Sequence, residues 1–229
     1  MRDGAMVLAD IVMVKSDKMK ANRPLLPILL FGLVVTVLLP AAEACSCLPQ
    51  HPQTAFCDSE YVIVAQVLRK TASKDYLDAY KIVIKKEYKM SEEARKLLRN
   101  GKLYTASQSS LCGVTLEPNK LYAIAANTDR VGLCDFIRPY ADLTIVEKRG
   151  LAGIYRKGCR CQIFPCFAPK CNPRVGGCNW SAFSARGDCE TSYGSCVPAG
   201  RTQEDGTPIK CHWRRSPRYG QCIAKNEGQ

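Results

Sequence analysis

The residues best suited to chemistry lie between Cys45 and Cys57, in the stretch CSCLPQHPQTAFC. Just before it, Ala42-Glu43-Ala44 forms a small-x-small cleavage pattern. A chain cut there begins at Cys45, whose α-amine and carbonyl oxygen become adjacent hard donors able to close a five-membered chelate on a metal. An α-amine titrates near ~7.7–8.0, so a substantial fraction is neutral at physiological pH and its lone pair is available. Such a bidentate group suits a zinc ion with an open coordination position, the mark of a catalytic zinc site. A free terminus frays unless it is tied down. Cys45 and Cys47 flank a single residue, so bridges from each to different parts of the fold would pin the tripeptide at two points. Pro49 and Pro52 fix φ in the continuation, and a pinned wedge loses little entropy on docking.

Composition supports an exported, crosslinked protein. The chain has 229 residues, a net charge of +12 and 14 cysteines with only two histidines. Ordinary Gly and Pro content and 46% hydrophobic residues exclude collagen-like and disordered classes. An even cysteine count at this density implies seven disulfides and an oxidising compartment. Residues Leu25 to Pro40 form an apolar run behind Lys15, Lys18, Lys20 and Arg23, which reads as a secretory signal over residues 1–44. A membrane anchor is the competing reading, but two prolines interrupt the run, it is short for a span of ~20 residues, and no basic stop-transfer flank follows. The segment before the run is long for a signal, and Met13 or Met19 are alternative starts. Removing residues 1–44 leaves 185 residues carrying +11 and all 14 cysteines.

Cysteine spacing divides the remainder. Residues 45–156 hold five cysteines, whereas residues 159–229 hold nine. The first part reads as a β domain with its own core and the second as a small module dependent on crosslinks. Strands are expected at Tyr61 to Leu68, Ala79 to Met90, Lys102 to Ala106, Leu121 to Ala126 and Leu133 to Ile137, separated by turn formers. Five strands suggest a small barrel or sandwich. Ser91 is expected to cap a helix over Glu92 to Leu98, and Asp142 a longer one running to Tyr155. After Cys159 no long periodic segment is evident. Asn179-Trp180-Ser181 is a sequon, making Asn179 a candidate glycosylation site.

The Cys45–Cys57 stretch resembles the N-terminal signature of the tissue inhibitors of metalloproteinases, Cys-x-Cys-x-Pro-x-His-Pro-Gln-x-Ala-Phe-Cys. Cys45, Cys47, Pro49, His51, Pro52, Gln53, Ala55, Phe56 and Cys57 fill its fixed positions. Tyr104-Thr105-Ala106, Ser110 to Val114 and Leu133 to Ile137 with Pro139 are similar to later family segments in the same order. The resemblance implies a mainly β fold with a few helices: a netrin-like, OB-type five-stranded barrel over residues 45–159, then a disulfide-rich domain over residues 160–229. It also implies bridges Cys45–Cys112, Cys47–Cys134 and Cys57–Cys159. Carried over by family spacing, the remaining pairs are Cys161–Cys196, Cys166–Cys171 and Cys178–Cys189. Cys211 and Cys222 depart from the usual twelve-cysteine pattern and most simply pair together.

The function implied is that of a secreted inhibitor of zinc metalloproteinases, not an enzyme, located in the extracellular space or matrix. Cys45 would chelate the protease's zinc, and Ser46 would point into the primary specificity pocket. Cys47, Leu48 and Pro49 would lie along the cleft, with Ser109, Ser110, Leu111 and Cys112 filling its other side. The inhibitor would need no cofactor or metal of its own. Expected partners are matrix metalloproteinases or related zinc enzymes, bound one to one by a monomer. Acidic matrix glycans form a second class, given the charge, whereas nucleic acid and a membrane span are not expected. The Arg69–Asp78 connection reads as short for the family, and the C-terminus ends basic, at Trp213-Arg214-Arg215 and Arg218. Competing readings are thiolate zinc ligation by Cys45-x-Cys47 and Cys159-x-Cys161, and a netrin-like matrix-binding module without inhibitory activity. Neither His51 nor His212 has a nucleophile or orienting partner that the sequence can name.

Overall fold

The computed structural model describes residues 45–74, 76–108, 111–168, 171–200 and 210–227. The expected signal segment, residues 1–44, and Ser109 and Ser110 lie outside the described residues. The first helix, α1 (Pro52–Asp58), is followed by β1 (Tyr61–Lys74) and β2 (Leu77–Met90). Next come α2 (Glu92–Leu97), β3 (Lys102–Ala106), β4 (Leu121–Ala126) and β5 (Phe136–Pro139). These five strands form one curled sheet in the order β3-β2-β1-β4-β5, with every pairing antiparallel. The segment after β4 lies against β3: Tyr104 N–H donates to Asp129 O at 2.8 Å, and Val131 N–H donates to Tyr104 O at 2.7 Å. That contact carries the sheet toward the expected barrel.

The unbroken apolar run of β1 follows from burial on both faces. Tyr61, Ile63, Ala65 and Val67 enter the barrel interior beside Tyr80, Ile82, Leu103 and Ile124. The alternate residues Val62 and Val64 face outward, where Phe56 of α1, Leu151 and Tyr155 cover them. A side chain so buried contributes about 1.5–3 kcal/mol, which makes β1 the element on which both layers depend.

Several elements differ from the sequence expectation. The Arg69–Asp78 connection is a hairpin, since β1 continues to Lys74 and β2 begins at Leu77. Ladder bonds, a 2.6 Å ion pair from Lys70 to Asp78 and a Thr71 Oγ1 bond to Ala79 O hold it in place of apolar alternation. β5 starts three residues late because Gly132 and Asp135 form a tight turn through 2.8 Å and 3.1 Å bonds. The second expected helix is capped by Thr144 rather than Asp142. Thr144 Oγ1 accepts from Glu147 N–H while the Glu147 carboxylate accepts from Thr144 N–H, and this reciprocal pair fixes the start of α3 (Ile145–Arg149). A π-helical segment (Gly150–Ile154) then leads into α4 (Tyr155–Gly158).

The C-terminal region is more regular than its sequence suggests. Parallel β6 (Gln162–Pro165) and β7 (Gly177–Trp180) are followed by α5 (Ala185–Tyr193), an antiparallel pair β8 (Gly194–Pro198) and β9 (Cys211–Arg215), and α6 (Pro217–Glu227). All fourteen cysteines form disulfides. Cys45–Cys112, Cys47–Cys134, Cys57–Cys159 and Cys166–Cys171 are among the implied pairs. The other three expected pairs, Cys161–Cys196, Cys178–Cys189 and Cys211–Cys222, do not form; the bonds are Cys161–Cys211, Cys178–Cys196 and Cys189–Cys222. Tertiary packing decides this. The β8–β9 ladder brings Cys211 back beside Cys196, and the sulfurs of Cys161, Cys196 and Cys211 lie within 4.8 Å of one another. Cys189 sits on α5 and Cys222 on α6, so their bond joins two helices.

Candidate functional site

Residues Cys45 to Pro49 run without helix or strand pairing, and exposure alternates along them: Ser46 and Leu48 are exposed, while Cys45, Cys47 and Pro49 are half-buried. An extended chain puts successive side chains on opposite sides. Ser46 and Leu48 therefore stand out from a ridge that Cys45 and Cys47 anchor, each with 5.4 Å between its Cα and that of its disulfide partner. Leu48 is 77% exposed.

The two loops that receive these anchors are themselves tied together. Leu133 N–H donates to Cys112 O at 2.9 Å. In the first loop, Leu111 and Gly113 N–H both donate to Gln108 O, and Val114 N–H donates to Thr105 Oγ1. Cys112 adopts φ 62°, and a Cβ on the next residue, Gly113, would collide with the Ala106 carbonyl. Glycine is thus required where the loop presses on the end of β3. In the second loop, burial raises the Asp135 carboxyl above its usual range, and the bond from Gly132 N–H partly offsets this. Leu111 and Leu133 are each 54% exposed, and an open cleft of about 420 Å³ lies between Cys47–Gln50 and Leu133–Arg138. The result is a narrow projection flanked by leucines. The sequence expectation brought Leu111 and Cys112 to this edge but missed Leu133; the bridge from its neighbour Cys134 to Cys47 was the available signal.

The second half of the motif turns inward. His51 caps α1, accepting from Gln53 N–H on Nδ1 at 3.1 Å, and Pro52 occupies the first helical turn. Because Nδ1 accepts, Nε2 carries the proton and donates to Glu190 O of α5 at 3.3 Å. The ring is 1% exposed, among Tyr155, Trp180 and Trp213. Burial lowers its pKa to about 4, against a smaller opposing effect of the Glu190 carbonyl, so it is neutral at physiological pH. Gln53 donates to Gly158 O at 3.0 Å and Cys196 O at 2.7 Å, and accepts from Cys196 N–H at 2.9 Å. His51 and Gln53 therefore join the barrel side to the C-terminal region. The residues from Cys45 onward belong to a single compact unit.

Other expected features can be placed. Asn179 lies on β7, half-buried, with Nδ2 donating to Cys171 O at 3.3 Å and Asn172 O at 2.7 Å. The thiolate reading of the Cys-x-Cys pairs fails because every sulfur involved is in a disulfide. No helix among the described residues is long and apolar enough to cross a membrane.

Comparison with known proteins agrees with the ridge and its crosslinks. Residues 43–213 match the family model described as tissue inhibitor of metalloproteinase. A tissue inhibitor of metalloproteinase from Drosophila melanogaster is 37% identical over 187 residues, spanning 80% of this chain and 88% of that protein. Metalloproteinase inhibitor 3 of Scyliorhinus torazame is 38% identical over 150 residues, and metalloproteinase inhibitor 2 of Bos taurus 36% over 154; each alignment spans 62% of this chain and 69% of the relative. With a family model covering most of its length and a relative aligned over nearly all of its own, this chain belongs to the tissue inhibitor of metalloproteinase family.

Proposed function

We propose that the chain, cut before Cys45 and secreted, inhibits zinc metalloproteinases by seating the Cys45–Pro49 ridge in the active-site cleft. Family membership makes it a metalloproteinase inhibitor rather than an enzyme. In the finer reading, the Cys45 α-amine and carbonyl chelate the protease's zinc and displace the water it would activate. Ser46 enters the primary specificity pocket, and Leu48 follows along the cleft. Leu111 and Cys112, with Ser109 and Ser110, occupy the opposite side. Inhibition persists because zinc meets an amine and a carbonyl in place of a scissile peptide and water. The metal belongs to the protease, and the inhibitor acts as a monomer in a one-to-one complex with a matrix metalloproteinase or a related enzyme.

The observation that carries this reading is the alternation of exposed Ser46 and Leu48 on a segment crosslinked at both flanking cysteines. Preorganisation of this kind reduces the entropy lost on docking. Titration of an active zinc metalloproteinase with the processed protein should reach an endpoint at equal molar amounts. A small zinc-chelating inhibitor already in the active site should block binding; undiminished binding to the occupied protease would overturn the cleft-insertion reading.

A further inference from the structure

Two bridges at the centre of the C-terminal region lie against each other. Cys161–Cys211 ties the residue before β6 to the first residue of β9, and Cys178–Cys196 ties β7 to β8. The sulfurs of Cys161, Cys196 and Cys211 are within 4.8 Å of one another. Each sulfur of the first bridge therefore has Cys196 Sγ as a neighbour in addition to its own partner. Thiol–disulfide exchange proceeds by attack of a thiolate on a bonded sulfur, and proximity of this kind is what it requires.

Access differs among the four residues. Cys161 and Cys178 are each 5% exposed and Cys196 is 0%, in a cluster with Ile163 and Trp213 against it. Cys211 is half-buried, so a thiol from solution meets it first. Exposed Lys210 precedes Cys211 in sequence and exposed Arg160 precedes Cys161, which places cations beside both ends of this outer bridge. Positive charge there draws in an anionic thiol.

We propose that Cys211 is a modification site for a small anionic thiol of the glutathione class, and that Cys161 and Cys196 relay the exchange inward. In the first step the external thiolate bonds to Cys211 Sγ, the Cys161–Cys211 bond breaks, and Cys161 Sγ leaves as a thiolate. In the second, Cys161 Sγ attacks Cys196 Sγ, forming Cys161–Cys196 and expelling Cys178 Sγ, which takes up the proton lost by the external thiol. Two disulfides and one thiol react, and two disulfides and one thiol result, so neither an oxidant nor a reductant is consumed. The exchange unlinks β7 from β8 and β9 from the start of β6, while Cys196 remains crosslinked throughout. Gln53 holds both the N–H and the carbonyl of Cys196, so the joint to α1 rests on the residue that keeps a bridge. None of this rests on the zinc-chelation reading.

The test exposes the whole processed protein to reduced glutathione without denaturant, quenches with acid, alkylates the thiols and maps the C-terminal cysteines by peptide mass spectrometry. The expected product carries glutathione on Cys211, an alkyl label on Cys178 and a peptide crosslinked through Cys161 and Cys196. In the double variant Cys178→Ala, Cys196→Ala the inner bridge is absent, and the label should shift from Cys178 to Cys161. Three results in the parent protein, which is read whether or not the variant folds, would overturn the proposal. An alkyl label on Cys161 with Cys178–Cys196 intact would remove the relay. Glutathione on Cys161 in place of Cys211 would remove the entry site. Retention of both bridges after other disulfides of the chain have been reduced would show that the pair is inert.

Discussion

Among the described residues, fourteen buried apolar side chains fill the interior of the curled sheet, from Tyr61 to Val131, and a second layer covers its outer face. The C-terminal region instead centres on Cys161, Cys178 and Cys196, with Ile163, Cys211 and Trp213 against them. Disulfides therefore do different work in the two regions. In the barrel the core can hold the fold, and Cys45–Cys112 and Cys47–Cys134 position an exposed edge. In the C-terminal region the crosslinks substitute for a core too small to suffice.

The largest effect expected from this contrast comes from removing one bridge in each region. Replacing Cys161 and Cys211 by Ser should destabilise the C-terminal region by about 2–5 kcal/mol, seen as early loss of its tryptophan fluorescence transition on heating. Replacing Cys45 and Cys112 by Ser should leave a cooperative barrel transition yet weaken metalloproteinase inhibition by about 100-fold, because the ridge is displaced. Equal loss of cooperativity in both variants would erase the distinction.

The joint between the regions supplies the next test, through pH. His51 has a folded pKa of about 4, below its ordinary 6.5, so as pH falls the unfolded chain takes up the proton first. Stability conferred by the neutral ring is complete above about pH 6.5 and is lost progressively toward pH 4, by about 3 kcal/mol in all. His51→Asn keeps a cap acceptor but cannot titrate, so denaturant unfolding should show a smaller decline across this window than in the parent protein. An identical pH profile would remove His51 from the account.

Gln53→Ala should cost about 2–3 kcal/mol, because it strips partners from Cys196 N–H and from two buried carbonyls. Urea denaturation measures it, and a change below about 0.5 kcal/mol would mean the joint is held by packing alone. The smallest effect concerns Asn179. Both amide hydrogens are engaged with Cys171 and Asn172, so the folded protein recovered from a secretory expression host should show no mass change on treatment with an N-glycosidase. Asn179→Asp should cost about 1 kcal/mol through the lost donors.

The barrel was legible in the sequence where burial imposed a period. β2 shows Tyr80 and Ile82 inside with Lys81 and Val83 opposite, and β1 is apolar throughout because it is covered twice. The hairpin end was not legible, since Arg69 to Lys74 is held by backbone pairing and an ion pair rather than by an apolar face. α5 escaped notice for a similar reason: its sequence ARGDCETSY carries no apolar stripe, and Gly187, Cys189 and Glu190 are its buried residues. Three disulfides were misplaced because family spacing and nearest remaining pairs stood in for tertiary register. At the site, the motif identified the ridge directly. The inward role of His51 and Gln53 could not be read, because their partners Glu190 and Cys196 lie 139 and 143 residues away.

The central claim is that the crosslinked Cys45–Pro49 ridge, with Cys45 as the first residue, is the inhibitory element. The most direct measurement compares the inhibition constant of the protein beginning at Cys45 with that of a version carrying one additional alanine before it, against the same zinc metalloproteinase. An added residue converts the α-amine into an amide that cannot coordinate zinc, while leaving the fold and both bridges in place. Loss of inhibition in the extended protein alone is the predicted result; equal inhibition by the two proteins would contradict the account.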